Sequence, residues 1–265
     1  MTGPNFPPPL IEFRDATVLR NERVALDRLT LSIGVGEHVA ILGPNGSGKS
    51  TLIKAITREC YPLLSTDGPG LRIFGQEVWN VFDLRILLGI VSNDLLQTCT
   101  REVTGRTLVL SGFFSSVEIC SYHHVTPEME EKAMRVMNLL EISHLADREV
   151  TEMSSGEARR IVIARALVHD PKALVFDEPS NSLDFHATRE LRAIMSKLAR
   201  SGTSIILVTH HLPDIFPEIE RVVLLKAGRV FADGPKSKIL TSRLLSAMFG
   251  SGVELLRKDG YYHLL

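Results

Sequence analysis

The sequence predicts an α/β protein whose sheet is mostly parallel and covered by helices. Short, largely apolar runs such as 173–176 and 204–208 alternate with longer segments of helical periodicity, a pattern typical of parallel strands joined by crossover helices. The apolar run 39–42 also leads through a glycine-rich turn into a helical segment. With 265 residues, of which 44% are hydrophobic and 23% charged, the chain is long enough to bury one sizeable core.

The individual elements follow from the apolar runs and their periodicity. The predicted strands are residues 11–13, 29–33, 39–42, 71–74, 89–92, 173–176, 204–208 and 221–225. The predicted helices run from the glycine-rich turn to about residue 59, from Pro127 onward, and over 156–168 and 185–200. Thr126 is the expected N-cap of the helix that begins at Pro127, because proline is favoured at the first helical position.

The domain organisation is inferred from the same pass along the chain. We expect an extended, proline-containing lead over residues 1–9, a single domain over 10–250 and a short tail over 251–265. Strand signals are sparse between about residues 94 and 153. We therefore expect this stretch to be a helical subdomain of the single domain.

Whole-chain features argue against several classes of protein. The net charge of −1 gives no indication of a nucleic-acid or acidic-lipid binder. The three cysteines, Cys60, Cys99 and Cys120, lack CxxC spacing, which argues against a disulfide framework or zinc site and favours a reducing cytosol. No apolar run approaches the ~18 residues that would span a bilayer, and the N-terminus does not resemble a signal peptide. The protein is therefore not expected to cross a membrane itself.

The glycine-rich turn is the most informative motif in the chain. Residues 43–51, GPNGSGKST, match the pattern GxxxxGK[ST] of a phosphate-binding loop. Glycines let backbone N–H groups approach phosphate oxygens, and the N-terminus of the following helix adds a partial positive charge. Lys49 is expected to reach the β- and γ-phosphates, and Ser50 to ligate Mg²⁺. The predicted nucleotide-binding residues are Gly43, Pro44, Asn45, Gly46, Ser47, Gly48, Lys49, Ser50 and Thr51.

Two further motifs support a phosphoryl-transfer site. Asp177 and Glu178 end the apolar run 173–176, where Asp177 could hold Mg²⁺ through water and Glu178 could act as general base. Alone, such a pair is as often a simple turn. Residues 153–157, MSSGE, precede a predicted helix and could form either an anion site or an ordinary N-cap.

Taken together, these motifs resemble those of an ATP-binding-cassette (ABC) ATPase subunit over about residues 10–240. The phosphate-binding loop resembles the Walker A motif, MSSGE the signature motif and LVFDEP the Walker B motif. Residues 182–184 resemble the D-loop, and His210 resembles the switch histidine, in the order typical of the family. The resemblance implies a P-loop NTPase (RecA-like) core, an N-terminal antiparallel β subdomain and a helical insert that carries the signature motif.

The resemblance also implies a mechanism with ATP and Mg²⁺. Two copies of the chain would pack head to tail around two ATP molecules, and each ATP would lie between the Walker motifs of one copy and the signature motif of the other. Lys49, Glu178 and His210 would be the catalytic residues. Ser154, Gly156 and Asp184 would contact nucleotide across the dimer.

Several positions depart from the family pattern. Asn93 stands where the Q-loop glutamine is expected, and its amide oxygen is the group that would reach Mg²⁺. Ser155 and Glu157 replace a glycine and a glutamine of the signature motif. Arg20 stands where an aromatic residue usually stacks on adenine. Arg20 could stack on the base or be an ordinary surface arginine, and the sequence leaves these two interpretations equal.

Within the family, the chain resembles importer ATPases for metal chelates and oxyanions such as molybdate. Phe113 and Phe114 lie in the segment that abuts the membrane subunit in such proteins, or are core residues of the insert. A metal site at Cys120, His123 and His124 is less favoured because their spacing fits no ligand pattern. The expected partners are a second copy and membrane permease subunits at the cytoplasmic face, with no site for the transported substrate and no nucleic acid. The alternative is a soluble stand-alone ABC ATPase that acts in nucleic-acid metabolism or regulation.

Overall fold

The computed structural model describes residues 8–64, 68 and 70–264. Most of the predicted N-terminal lead therefore lies outside the described residues. The chain divides into two compact units, the first comprising Met1–Val81 with Ser204–Leu265 and the second comprising Phe82–Thr203. Within the described ranges, every helix is too short or too polar to cross a bilayer.

The described strands and helices are numbered in chain order. The strands are β1 Ile11–Arg20, β2 Arg23–Ile33, β3 His38–Leu42, β4 Leu71–Ile73, β5 Leu88–Val91, β6 Ala173–Asp177, β7 Ser204–Thr209, β8 Arg221–Lys226, β9 Arg229–Pro235, β10 Leu255–Lys258 and β11 Tyr261–Leu264. The α-helices are α1 Lys49–Ile56, α2 Val81–Leu87, α3 Asn93–Cys99, α4 Gly105–Ser111, α5 Pro127–Leu139, α6 Ser155–Leu167, α7 Phe185–Arg200, α8 Lys236–Ile239 and α9 Ser242–Phe249.

The first unit is built around β3, which has a parallel neighbour on each side. Leu42 at the end of β3 lies opposite Thr209 of β7 and Leu224 of β8. All six residues of β7 are buried, as expected for a central strand covered on both faces. Strand β9 pairs antiparallel with β8. This arrangement places the chain that leaves β3 and the chain that leaves β7 at the same sheet edge.

A second sheet of this unit is antiparallel, with strand order β2-β1-β4. Strands β1 and β2 form a hairpin through Asn21 and Glu22, whose φ angles are 48° and 64°, the left-handed geometry that a tight hairpin turn requires. This hairpin is the expected antiparallel β subdomain. The β1 and β2 strands extend well beyond the predicted ranges, because their alternating exposed charges mask the strand pattern. Strands β10 and β11 form a hairpin in the region of the predicted tail.

The second unit contains the parallel pair β5 and β6, in which Val91 lies opposite Phe176. Between β5 and β6 the described backbone forms four α-helices, α3 to α6, and short 3-10 turns. The α5 helix begins at Pro127 as predicted, and the Thr126 side chain accepts a hydrogen bond from the Met129 N–H. The α7 helix, Phe185–Arg200, has the predicted bounds.

Two predictions about elements need correction. The α1 helix ends at Ile56 rather than near residue 59, because Arg58 adopts a left-handed conformation with φ of 62° and the chain turns away. The short helices α2, α3, α4, α8 and α9 and the strands β9, β10 and β11 were not predicted. Most of these missed elements are short, and their ends are set by local caps such as Ser92 before α3.

Candidate nucleotide-binding site

The phosphate-binding loop connects β3 to α1 in the first unit. Gly46 and Gly48 have φ angles of 77° and 106°, which L side chains rarely adopt. A Cβ on Gly48 would lie 2.8 Å from the Ala25 carbonyl oxygen, and one on Gly43 would lie 2.4 Å from the Leu225 carbonyl oxygen. The glycines therefore allow a close approach of backbone that any side chain would prevent.

The start of α1 has the features of an anion site. Its N-cap is Gly48, and no side chain caps the helix, so the first N–H groups keep their hydrogen-bonding capacity for a ligand. Lys49 is 7% exposed, and its Nζ donates to the carbonyls of Gly43 at 2.7 Å and Pro44 at 3.2 Å. The Ser47 Oγ is buried and has no hydrogen-bond partner among the described residues. These donors fit the phosphate chain of a nucleotide.

His210 follows β7 directly, at the same sheet edge as the loop that follows β3. The Thr209 hydroxyl donates to Asp214 Oδ2 at 3.2 Å and accepts from the His211 N–H at 2.9 Å. The rings of His210 and His211 lie 3.8 Å apart at a tilt of 41°. The hydrogen bonds of Thr209 hold the backbone on both sides of His210 in place. Arg20 is exposed at the end of β1, opposite Arg23 in the hairpin.

In the second unit, Asp177 ends β6 and Asn93 closely follows the end of β5. Because these two strands are parallel, both residues lie at the carboxyl ends of the β5–β6 pair. Asp177 and Glu178 are both partly exposed. The Asn93 Nδ2 donates to the Glu178 carbonyl oxygen at 3.4 Å. Glu178 has a φ of 48°, an uncommon conformation for a residue with a side chain and one that recurs at functional sites.

Sequence reasoning missed Arg159, which completes this cluster. It lies in α6, is 2% exposed, and its Nη2 donates to Asn93 Oδ1 at 2.7 Å and to the Asn181 carbonyl at 3.1 Å. Burial lowers the pKa of the Arg159 guanidinium. One sequence signal could have revealed Arg159. The α6 helix has buried apolar residues on almost every side, and this predicts that an arginine within the helix is buried as well.

The predicted signature segment forms the N-terminus of α6. Ser154 Oγ accepts from the Glu157 N–H at 3.3 Å, and Glu157 Oε2 accepts from the Ser154 N–H at 2.8 Å. This capping box satisfies backbone donors at the helix start, so the N-cap interpretation of the segment is confirmed in the structure. The hydrogen bond from the Ser154 backbone lowers the pKa of the Glu157 carboxyl, and the Ser154 hydroxyl and nearby arginines lower it further.

Two other predicted site residues have clear local roles. Gly156 packs against α7, and a Cβ there would lie 2.9 Å from the Ala187 Cβ. Asp184 is the N-cap of α7, and its Oδ1 accepts from the Ala187 N–H at 2.8 Å. These packing and capping contacts are enough to explain why a glycine and an aspartate occupy these positions. The contacts of Gly156 and Asp184 with nucleotide stay predictions.

The aromatic and metal hypotheses concern Phe113, Phe114 and residues 120–124 of the second unit. Phe114 stacks on His123 with ring centroids 4.2 Å apart, and Phe113 meets His169 edge-on at 5.3 Å. Both phenylalanines are partly exposed. The Cys120 N–H donates to His123 Nδ1 at 3.1 Å. Within the described part of the chain, Cys120, His123 and His124 do not gather three metal-binding atoms.

A glycine loop with a buried lysine, set between a parallel strand and a helix, defines a protein that binds a nucleoside triphosphate. Residues 26–181 match the family model described as ABC transporter. The chain is 31% identical over 252 residues to an uncharacterized ABC transporter ATP-binding protein, YlmA, of Bacillus subtilis, and the aligned region covers 93% of each protein. It is 30% identical over 236 residues to the hemin import ATP-binding protein HmuV of Nocardia farcinica, covering 88% of this chain and 78% of that protein.

The fold is also that of solved ABC proteins. The structure of cbiO1 from Clostridium perfringens, part of the ABC transporter complex cbiONQ, superposes with a TM-score of 0.76 at 23% identity, covering 91% of this chain and 94% of that one. The chain therefore belongs to the ABC transporter family, as an ATP-binding subunit that hydrolyses ATP.

Proposed function

We propose that this chain is the ATPase subunit of an importer that takes up a metal chelate. The observation that carries this proposal is its 30% identity with a hemin import ATP-binding protein over 88% of the chain. The subunit would work at the cytoplasmic face of a membrane, bound to permease subunits. Its described residues contain no membrane-spanning helix, so the proposed permease would supply the path across the bilayer and the site for the transported substrate.

The loop of residues 43–51 would bind the phosphates of ATP. Its support is local: backbone N–H groups at the start of α1, the buried Lys49 ammonium and the buried Ser47 hydroxyl. Lys49 would move from the loop carbonyls to the β- and γ-phosphates, because a charged phosphate oxygen is the stronger acceptor. Arg20 would stack on adenine.

Mg²⁺ would be held by Ser50 and Asp177. Ser50 is exposed at the start of α1, and Asp177 is partly exposed at the end of β6; the side chains of both carry hard oxygen donors of the kind that Mg²⁺ prefers. Asn93, the third predicted ligand, has an amide oxygen that accepts from Arg159, so it would have to share that oxygen with the ion. Bound Mg²⁺ would neutralise charge on the β- and γ-phosphate oxygens.

The remaining predicted residues would act on the γ-phosphate. Glu178 would accept a proton from the attacking water, and His210 would orient the γ-phosphate and that water. Ser154 and Gly156 of a second copy would contact the same phosphate, with Asp184 beside the dimer interface. Because catalysis of phosphoryl transfer is mostly positioning, closure of this dimer would start the reaction and hydrolysis would reopen it.

The test is to purify tagged Glu178→Gln protein with ATP from detergent-solubilised cells of its source and to identify bound proteins. Recovery of a polytopic membrane protein is expected, and loss of uptake of its iron or haem chelate on deletion of the gene would establish the substrate class. Loss of oxyanion uptake instead would correct the substrate. Recovery of nucleic acid or of soluble proteins alone, with uptake unchanged, would favour a stand-alone ATPase.

A further inference from the structure

Arg159 is an unusual residue to bury in this helix. It is 2% exposed, and its Nε and Nη1 atoms have no hydrogen-bond partner among the described residues. No carboxylate in the described ranges forms an ion pair with it. Burial of a charge without an opposite charge, and with donors left unpaired, is costly. Stability of the fold therefore does not explain why an arginine occupies this position.

The contacts that Arg159 does make lead to the proposed catalytic base. Its Nη2 donates to Asn93 Oδ1 at 2.7 Å and to the Asn181 carbonyl at 3.1 Å. The other end of the Asn93 amide, Nδ2, donates to the Glu178 carbonyl at 3.4 Å. The Asn181 N–H also donates to that carbonyl, at 3.2 Å. Arg159 is thus linked to the backbone of Glu178 by two short routes.

Because a guanidinium can only donate hydrogen bonds, it determines the orientation of the Asn93 amide. Arginine has donors and no acceptor, so the Asn93 amide must turn its oxygen toward Arg159 and its NH₂ group toward Glu178. A glutamine at position 159 could accept as well as donate and would allow the reverse orientation. Arg159 therefore determines that Asn93 supplies a donor to the Glu178 carbonyl.

The backbone that this donor holds is strained. Glu178 has a φ of 48°, and residues in this region persist only where surrounding contacts hold them. The carbonyl of Glu178 is held by Asn93 and Asn181, and Arg159 contacts both of these residues. Loss of Arg159 would leave the Asn93 amide free to reverse and the turn free to relax.

We propose that Arg159 is a positioning residue that, through the Asn93 amide and the Asn181 carbonyl, holds the Glu178 backbone in its left-handed conformation and so aims the Glu178 carboxylate. This inference rests on the proposed role of Glu178 as general base. It assigns Asn93 a role in orienting the base in addition to its predicted position near the ion.

Kinetics with three variants test the proposal. Arg159→Met is expected to lower kcat about tenfold or more while KM for ATP changes less than about twofold, because the base is misplaced and the phosphate loop is untouched. Arg159→Lys, which keeps a charged donor without an acceptor, is expected to recover part of kcat. Arg165→Met is the matched control, since Arg165 is a partly buried arginine of the same helix that donates instead to Ser111 and Ser116; its kcat should stay near the wild-type value.

Asn93→Asp provides a second measurement in case Arg159→Met does not fold. The carboxylate can still accept from Arg159 but cannot donate to the Glu178 carbonyl. A folded Asn93→Asp protein is therefore expected to lose kcat by a factor similar to that of Arg159→Met, with ATP binding retained. A folded, fully active Asn93→Asp protein would overturn the proposal.

The double variant Arg159→Met/Glu178→Gln separates positioning from general damage. If Arg159 acts through Glu178, Arg159→Met should reduce the residual hydrolysis of Glu178→Gln by less than about twofold, since residues that act as a unit are not additive. An equal loss in both backgrounds would overturn the proposal. If Glu178→Gln alone hydrolyses ATP at the wild-type rate, the assignment of the base fails, and this outcome is distinct from a failure of Arg159 to affect a functional Glu178.

Discussion

Glu157 shows how one substitution in a binding motif can change local stability. Its carboxylate caps the start of α6 and lies 3.6 Å from the Arg148 guanidinium. A negative charge at a helix N-terminus is favourable, yet the same end of α6 is where the partner's γ-phosphate is proposed to bind. The glutamate therefore favours the capped helix and opposes a second anion.

Glu157→Gln should lower the free energy of unfolding by about 0.5 kcal/mol near neutral pH, because glutamine keeps the capping box but loses the charge. The pKa of Glu157 is lowered from its ordinary value of 4.5 in the folded protein. Its contribution is therefore present above pH 4.5 and is lost as the pH falls through the folded pKa. Urea unfolding at a series of pH values measures the difference.

The exposed Glu152 lies outside the capping box, so Glu152→Gln is the matched control for this experiment. The difference between wild-type protein and Glu157→Gln should shrink toward zero in acid, whereas Glu152→Gln should differ little at any pH. A difference that stays constant down to pH 3 would contradict the role of the charged form.

Arg20 provides a test of base stacking. If its guanidinium stacks on adenine, Arg20→Ala should weaken ATP binding about tenfold, the effect typical of losing one base-stacking contact, while Arg20→Tyr should preserve it. Titration calorimetry with ATP checks this, and Arg23→Ala, at the facing position of the same hairpin, is the control. Equal affinities in all these proteins would make Arg20 an ordinary surface residue.

At the scale of elements, the close approach of α6 and α7 depends on Gly156. Gly156→Ala would place a Cβ 2.9 Å from that of Ala187, and forced packing of this kind costs about 1–3 kcal/mol. Ala187→Gly should relieve the clash, at its own cost of about 1 kcal/mol for glycine in a helix. Urea unfolding should therefore show that the double variant is no less stable than Ala187→Gly alone. Additive losses would mean that the two helices do not meet at these residues.

The predictability of each strand depended on how completely it is buried. The runs that form β3, β6, β7 and β8 are almost wholly apolar and were found within one or two residues. Strand β9, RVFADGP, was missed because every second residue is exposed and it contains Gly and Pro, which are depleted in strands. An edge strand is stabilised by its neighbour, and that information is not local.

The site was predictable where one short segment supplies the chemistry. The phosphate loop contains its own glycines, lysine and hydroxyls, so a pattern of eight residues located it. The link from Arg159 to Asn93 joins residues 66 positions apart, and nothing in either segment indicates the other. The capping box at Ser154 was predictable from its spacing, but the sequence could not decide whether that helix start also serves an anion.

For the whole molecule, the two compact units each carry part of the predicted chemistry. The first unit contains the phosphate loop and His210, and the second contains Asp177, Glu178 and the signature segment. A single chain thus presents two proposed phosphate-binding elements, one at the start of α1 and one at the start of α6. Under the proposed mechanism these elements serve different ATP molecules, so activity requires two copies of the chain.

Glu178→Gln should therefore dimerise when ATP is added, because ATP would bridge the copies and the missing base would prevent its removal. Light scattering coupled to size exclusion should show a twofold rise in mass with ATP and none without nucleotide. Lys49→Ala/Glu178→Gln is the matched control; it should remain monomeric, since loss of the lysine weakens phosphate binding before any dimer can form. A Glu178→Gln protein that binds ATP but stays monomeric would contradict the proposed head-to-tail dimer around ATP. A Lys49→Ala/Glu178→Gln protein that still dimerises with ATP would show that the phosphate loop is not what holds the nucleotide.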